Sequence, residues 1–214
     1  MSATKNYLTL SNGAKMPLVG LGTWQTNNEE QARIAIESAI KAGYRLIDTA
    51  AVYLNEALIG EVLEKLFKNG TVKREDMFIT TKIWITYLQP DRQEKALRES
   101  LGRLRLEYVD LVLAHMPTAM KEDGMNDTST TVEDIWRGFE SLYNKGLAKS
   151  IGVSNWSVEQ MERVLNSGKV PIHCTQNEIH VYFPQIKLIN FCRKNNIAQT
   201  SYGSIGSPAR QKTE

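Results

Sequence analysis

Short apolar runs alternate with segments of helical periodicity from about residue 20 onward. In those segments apolar residues recur every three or four positions, as on the buried face of an amphipathic helix. The pattern predicts strands at 20–22, 46–48, 77–82, 109–113, 148–153, 172–178 and 197–202, the first of them short and rich in glycine. It predicts helices at 28–43, 55–70, 90–104 and 132–145, and a helical segment before each of the last two strands. Asn55 stands where its side chain is expected to cap the second helix.

A β-hairpin is predicted ahead of this alternation. Residues 7–16 place Asn12 and Gly13 between two short runs, and Asn-Gly is the pair that a tight type I′ turn favours. Later in the chain, residues 116–130 are polar and contain glycine, so a long loop is expected there.

The spacing of the strands predicts the fold. Successive strands lie about 24 to 39 residues apart, which is typical of right-handed βαβ units in a parallel sheet. We therefore expect a (β/α)8 barrel of the TIM type, forming a single domain over residues 1–214, with an open, doubly wound sheet as the alternative. Ligands bind at the C-terminal ends of the strands in both folds, so the predicted site is the same for either.

Composition narrows the possible partners. Lys and Arg outnumber Asp and Glu only by 26 to 24 among 214 residues, too little to indicate nucleic acid or a membrane surface. No apolar run has the roughly 18 residues of a membrane span, and the N-terminal residues lack the apolar core of a secretory signal. Cys174 and Cys192 are far apart without a Cys-x-x-Cys spacing, so two reduced thiols in a cytoplasmic protein are expected.

Three predicted strands end on polar residues that would be costly to bury without partners. Asp48 ends one strand and Tyr53 follows it, Lys82 ends the next, and His115 follows a third. If these strands are neighbours, the four side chains meet in one pocket. An ammonium beside a phenol favours the phenolate, and a carboxylate keeps the ammonium charged, so Tyr53 could protonate a carbonyl oxygen. His115 would donate a hydrogen bond to the same oxygen.

Spacing alone leaves simpler interpretations open. Asp48 and Lys82 could form a structural ion pair while Tyr53 is a surface aromatic residue, and a lone histidine such as His115 is often a core residue with its hydrogen bonds satisfied. His173 is expected to be structural and His180 to pack near the site.

Five segments carry a resemblance to a known family. They are 43–56, which holds Asp48 and Tyr53, 81–84, 113–117, 151–155 and 202–207, with the sequences Gly-Tyr-Arg-Leu-Ile-Asp-Thr-Ala-Ala-Val-Tyr-Leu-Asn-Glu, Thr-Lys-Ile-Trp, Leu-Ala-His-Met-Pro, Ile-Gly-Val-Ser-Asn and Tyr-Gly-Ser-Ile-Gly-Ser. In this order and spacing the chain resembles the aldo-keto reductase family from about Tyr7 to Arg210. The resemblance implies a (β/α)8 barrel that binds NADPH and reduces aldehydes or ketones as a monomer.

The resemblance also implies roles for individual residues. The catalytic residues would be Asp48, Tyr53, Lys82 and His115, with Tyr53 as general acid. The cofactor-binding residues would be Gly22, Thr23, Asp48, Ser154, Asn155, Gln176, Tyr202, Ser204, Ile205, Gly206 and Ser207. The substrate would contact Trp24, Tyr53, Trp84 and His115, and no metal is expected. Ser154 and Asn155 could instead cap the following helix. Trp136 and Trp156 are expected to be packing residues.

The chain departs from the family pattern in three ways. It is about a hundred residues shorter than the family's chains, on the scale of an extended barrel. The eighth βα unit and the C-terminal loop are therefore expected to be missing. Met116 stands where relatives usually have Trp, and Val181 where they usually have Pro.

Because of the shorter length, we consider an alternative in which the protein is a non-catalytic, truncated isoform with impaired cofactor binding. A metal-dependent barrel hydrolase is disfavoured, because no His-x-His or clustered carboxylates follow the strands. Gly20 and Gly22 do not complete a Gly-x-Gly-x-x-Gly fingerprint, so a Rossmann interpretation is weak.

Overall fold

A computed structural model describes residues 6–26, 28–121 and 123–206. The strands are β1 Tyr7–Thr9, β2 Lys15–Pro17, β3 Leu21–Gly22, β4 Leu46–Asp48, β5 Phe78–Ile83, β6 Leu111–Ala114, β7 Ala119–Met120, β8 Asn126–Asp127, β9 Ile151–Ser154, β10 Cys174–Glu178 and β11 Ala198–Tyr202. The helices are α1 Glu29–Lys41, α2 Glu56–Lys68, α3 Pro90–Leu104, α4 Val132–Asn144, α5 Val158–Ser167 and α6 Ile186–Lys194. Within the described part of the chain, no helix is both long and apolar enough to cross a membrane.

Seven of the described strands form one parallel sheet in which spatial order follows chain order, β3-β4-β5-β6-β9-β10-β11. An open, doubly wound sheet reverses its strand order at a switch point, and this sheet has no such reversal among the described strands. The sheet also curls, because Gln176 of β10 donates a hydrogen bond to Asp48 of β4 although three strands lie between them. The predicted barrel fold is therefore confirmed, and the doubly wound alternative is wrong.

The predicted N-terminal hairpin is also confirmed. β1 and β2 pair antiparallel, and Gly13 at the turn has a φ of 87°, a left-handed conformation that glycine adopts without strain. The Asn12 amide donates hydrogen bonds to the Lys149 carbonyl and the Ser150 hydroxyl, which come just before β9. These bonds hold the hairpin against the end of the sheet where the strands begin, opposite the end that carries the predicted site.

The sheet separates two apolar cores. On its outer face, residues such as Ile79 and Ile83 of β5 pack with the helices in one large cluster that includes Trp136 and Trp156. Both tryptophans are buried, as predicted. On its inner face, residues of the strands meet Leu10 and Met16 of the hairpin region in a smaller cluster. Alternate residues of each strand thus face the helices or the interior of the curled sheet.

The strands β5, β6, β9, β10 and β11 begin one to three residues later than predicted. Val109 and Ala148, for example, are buried and meet only in an isolated β-bridge. The apolar run therefore begins before the first residue of the regular strand. The loop predicted at 116–130 contains the short hairpin β7–β8. The Asp127 carboxylate accepts hydrogen bonds from Ser129 and Thr130 there. Side-chain bonds of this kind leave no periodic signal in the sequence.

Helices α2 and α3 touch at Gly60, and this contact yields a stability test. A Cβ atom at Gly60 would lie 2.3 Å from the Arg103 carbonyl oxygen, whereas one at Gly102 of α3 would meet nothing within 4 Å. Gly60→Ala should therefore lose about 1–3 kcal/mol of unfolding free energy through overpacking, and Gly102→Ala should gain up to about 1 kcal/mol through helix propensity. Urea denaturation measures both. Equal stabilisation by the two changes would show that the helices do not meet at Gly60.

Candidate active site

A buried lysine lies at the centre of the site. Lys82, near the end of β5, is only 1% exposed. Its Nζ lies 2.5 Å from Asp48 Oδ1, 3.0 Å from the Thr49 carbonyl oxygen and 3.2 Å from the Tyr53 hydroxyl oxygen. An ammonium group has three hydrogens to donate, and here each has an acceptor. Adjacent parallel strands β4 and β5 therefore bring Asp48, Lys82 and Tyr53 into direct contact.

The charges in this cluster keep Lys82 protonated. Burial by itself lowers the pKa of Lys82, but the Asp48 carboxylate and the Tyr53 oxygen together outweigh that effect, and the net pKa is raised. A buried charge without such partners would be strongly destabilising. The ammonium of Lys82 consequently lies against the Tyr53 hydroxyl, in surroundings from which most water is excluded.

Tyr53 lies in a single 3-10 turn, residues 51–53, between β4 and α2. The cap predicted for Asn55 is wrong, since its side chain makes no capping bond to α2. Its amide instead accepts a hydrogen bond from Thr49 Oγ1 at 2.9 Å and donates one to the Thr23 carbonyl at 2.8 Å. These two partners arrive from β4 and from the loop after β3, so Asn55 ties the Tyr53 turn to both.

His115 follows β6 and faces the same cluster. Its ring meets Trp84 edge to face at 4.9 Å between centroids and Tyr53 at 5.8 Å. Burial, followed by the positive charge of Lys82, lowers the pKa of His115 to about 4. The ring is therefore neutral at physiological pH. Its buried Nδ1 has no hydrogen-bond partner in the described part of the chain.

Three amide and hydroxyl side chains line the ends of β9 and β10. Ser154 Oγ donates to the Gln176 carbonyl at 2.9 Å, and Asn155 Nδ2 donates to Ser154 Oγ at 3.2 Å and to the His115 carbonyl at 3.0 Å. Helix α5 is capped by Ser157 instead, so the alternative in which Ser154 and Asn155 cap it is wrong. The predicted carboxamide-binding residues therefore lie together, next to His115.

A contact that sequence analysis missed joins this amide group to the buried ion pair. Gln176 Nε2 donates to Asp48 Oδ2 at 2.7 Å, while the other carboxylate oxygen of Asp48 holds Lys82. The two residues are 128 positions apart, so no local pattern could reveal the bond. Gln176 consequently fixes the orientation of Asp48 in addition to lining the pocket.

Tyr202 ends β11 beside the amide group. Burial and the nearby charge of Glu178 raise the pKa of Tyr202, and its hydroxyl donates to Asn155 Oδ1 at 2.7 Å. The side chain is 41% exposed, so its ring remains accessible to a planar ligand. Beyond it, Ser204, Ile205 and Gly206 form an exposed turn closed by a hydrogen bond from Gly206 N to the Gly203 carbonyl. The predicted cofactor residue Ser207 lies outside the described residues.

The segment after β3 forms the opposite side of the site. Gly22 pairs with Asp48 in the sheet, and both the backbone N and the hydroxyl of Thr23 donate to the Asp48 carbonyl at 3.0 Å. Trp24 is 53% exposed beside them. The backbone of Asp48 is thus anchored to the loop that presents Trp24.

The other two histidines contact a backbone amide and a carboxylate, respectively. His173 is buried, and its Nδ1 accepts a hydrogen bond from the Ile151 backbone N at 3.0 Å, which makes it a structural residue of the sheet. His180 Nε2 lies 3.0 Å from Glu178 Oε1. Among the described residues, no group of three or more His, Cys, Asp or Glu side chains could hold a metal ion.

The geometry defines what the cluster can do. A phenol that touches a buried ammonium can release a proton more readily than a free phenol, and the neutral imidazole beside it can donate a hydrogen bond. The His115 ring contacts the rings of both Tyr53 and Trp84, so these three side chains lie together. The structure therefore excludes the interpretation in which Tyr53 is an isolated surface aromatic residue, while the catalytic roles themselves stay predictions.

Curated relatives align with most of this chain. An aldo-keto reductase family 1 member A1 from Gallus gallus is 41% identical over 221 residues, covering 98% of this chain and 67% of its own length. An aldo-keto reductase family 4 member C11 from Arabidopsis thaliana is 41% identical, covering 94% of this chain and 65% of its own length. The chain thus spans about two thirds of the length of these relatives.

Solved structures and a family model agree with these relatives. An aldo-keto reductase of Bombyx mori, in complex with NADP, matches with a TM-score of 0.91 at 34% identity, covering 99% of this chain and 71% of that one. An aldose reductase of Schistosoma japonicum matches with a TM-score of 0.86 at 38% identity, covering 92% and 68%. The model of the aldo/keto reductase family matches residues 18–214. This chain therefore belongs to the aldo/keto reductase family.

Proposed function

We propose that this protein is an NADPH-dependent oxidoreductase that reduces aldehydes or ketones to alcohols, with Tyr53 as the general acid. The observation that carries the proposal is the contact of 3.2 Å between the Tyr53 hydroxyl and the ammonium of Lys82, which Asp48 holds in its charged form. An ion pair that only stabilises the fold does not require a phenol beside it. A proton donor needs the phenol to lie next to a positive charge.

The residues at the strand ends fit a nicotinamide ring. Its carboxamide needs both donors and acceptors, which the side chains of Ser154, Asn155 and Gln176 provide, and the accessible ring of Tyr202 can stack on its face. When bound there, NADPH would supply the hydride. Two solved family members carry this kind of cofactor, one complexed with NADP and one with NADPH.

The proton would follow the contacts of the cluster. Tyr53 transfers its proton to the substrate oxygen, and the ammonium of Lys82 stabilises the phenolate that remains. Asp48 keeps Lys82 charged, and Gln176 holds the second carboxylate oxygen of Asp48. Neutral His115 donates a hydrogen bond to the carbonyl oxygen as negative charge develops on it.

The walls of the site favour apolar carbonyl compounds. Trp24, Tyr53 and Trp84 supply aromatic surface around the position that the substrate carbonyl would take. All of these side chains come from one chain, so we extend the proposal to a monomer with a single domain. Two buried, unpaired thiols, Cys174 and Cys192, suit a cytoplasmic location.

Titration with NADPH tests the proposal against a non-catalytic isoform. Because Trp24 and Trp84 lie beside the predicted nicotinamide site, NADPH should quench tryptophan fluorescence in a saturable way. NADH in the same titration serves as the comparison for the 2′-phosphate. Quenching that stays linear with added NADPH would favour the non-catalytic alternative.

Removing a single oxygen tests the role of Tyr53. Tyr53→Phe should lower kcat for carbonyl reduction by at least about a hundredfold, since it removes the proton donor, while NADPH affinity changes less than about threefold. Steady-state kinetics and fluorescence titration measure the two quantities. Tyr87→Phe, in the 3-10 turn that follows Trp84, is the matched control and should leave both unchanged. Reduction by Tyr53→Phe at the wild-type rate would show that the acid is another group.

The pH dependence of stability tests the buried, neutral state of His115. Its folded pKa of about 4 lies below the usual value of 6.5, so the unfolded chain binds a proton between these values that the folded chain does not. Stability is therefore lost as pH falls from 6.5 towards 4, by about 2 kcal/mol at pH 4.5. Urea unfolding at pH 7 and pH 4.5 should show a smaller loss in His115→Gln by about that amount. An identical loss in both proteins would place His115 in solvent.

A further inference from the structure

A fully buried carboxylate lies behind the site, on the outer face of the sheet. Glu56 is the first residue of α2 and comes three residues after Tyr53, and its side chain has no exposed surface. Its Oε1 accepts a hydrogen bond from Thr81 Oγ1 at 2.6 Å, and its Oε2 accepts one from Arg103 Nε at 2.8 Å. This carboxylate takes no part in the proton transfer proposed for Tyr53, Lys82 and His115.

Glu56 and Tyr53 contact opposite faces of the same strand. In β5, Lys82 points into the curled sheet and touches the Tyr53 hydroxyl, while the preceding Thr81 points towards the helices and touches Glu56. Successive residues of a strand face opposite sides, so these two contacts are set by one register of β5. The segment from Tyr53 to Glu56 is therefore bonded to both faces of β5.

The close crossing of α2 and α3 supplies the charge that Glu56 needs. Because Gly60 lacks a side chain, the end of α3 approaches α2, and Arg103 reaches back to Glu56. Arg103 also donates to Ser100 Oγ at 3.1 Å. The buried carboxylate is thus paired and hydrogen-bonded, as a buried charge must be to avoid a large penalty.

The backbone of the turn that carries Tyr53 makes few hydrogen bonds of its own. Leu54 has a left-handed φ of 59°, which is strained for a branched residue, and its side chain is 91% exposed. Within the turn, the Tyr53 and Leu54 amides bond only to the Ala50 and Ala51 carbonyls at 3.0 and 3.3 Å. A segment of this kind depends on its ends for its position.

We infer that Glu56, through its bond to Thr81, is a positioning residue that holds the Tyr53 hydroxyl against Lys82. The inference rests on the proposed function, because it assigns Glu56 to the geometry of the same proton donor. An error of about 1 Å in placing a reacting group can lower a rate by about a hundredfold, so an anchor of this kind has a large effect on kcat. Cofactor affinity should be much less sensitive to it, since most of the residues predicted to bind the cofactor lie at the ends of β9, β10 and β11.

A pair of variants at Thr81 tests the anchor. Thr81→Val keeps the shape of the side chain and removes the hydroxyl, whereas Thr81→Ser keeps the hydroxyl and serves as the conservative control. Glu56→Asp breaks the same bond from the other side, because its shorter side chain retains the charge but no longer reaches Thr81. For each variant the measurements are kcat, the Kd for NADPH, and hydrogen exchange in residues 50–55 compared with α5 as an internal reference.

Thr81→Val and Glu56→Asp should each lower kcat at least about tenfold, leave the Kd for NADPH within about twofold, and speed exchange in residues 50–55 at least threefold. Exchange in α5 should not change, and Thr81→Ser should behave like the wild type. Exchange that rises equally in both segments, or no rise in residues 50–55, would overturn the inference. If the wild type itself shows no turnover, the proposed function fails, and the exchange data alone decide whether Glu56 anchors the turn.

Discussion

The buried ion pair between Asp48 and Lys82 is the interaction on which the rest of the site depends. Lys82 is almost without exposed surface, and the cost of burying its charge is offset only because three acceptors surround its Nζ. One of those acceptors is the phenol of Tyr53. The same requirement that stabilises the lysine therefore places a proton donor beside a positive charge, so that stability and the proposed chemistry arise from one set of contacts.

The curl of the sheet makes this arrangement possible. Asp48 has two carboxylate oxygens to satisfy, and the partner of the second, Gln176, comes from a strand that is separated from β4 by three others in the sheet. A flat sheet would leave that oxygen to water. Leu10 and Met16 of the hairpin region join the inner core at the opposite end of the sheet, and the strand ends remain open for the polar cluster. The inner face of the sheet is thus polar at the strand ends, where the site lies, and apolar at the opposite end.

Most of the fold could be predicted from the sequence, because the alternation of strands and helices is periodic and the polar residues that end the strands are conspicuous. The predicted strand boundaries are less accurate where buried residues such as Val109 lie just before the hydrogen-bonded part of a strand. The cap expected for Asn55 does not form, because its side chain bonds to Thr49 and Thr23 instead, and a local pattern cannot distinguish the two uses of an Asn at that position. Glu56 ends the segment 43–56 that resembles the family, but nothing in the sequence indicates its burial, since acidic residues are common in the first turn of a helix.

Local patterns in the sequence are enough to establish the order of the main strands and helices, the family and the identity of the four polar residues at the strand ends. The partners of those residues become known only from the folded chain. Gln176 bonds to Asp48 across 128 positions of sequence. The adjacent residues Thr81 and Lys82 bond to Glu56 and Tyr53 on opposite faces of β5. Such contacts arise from the curvature of the sheet and the packing of α2 on α3, which no local segment of the chain encodes.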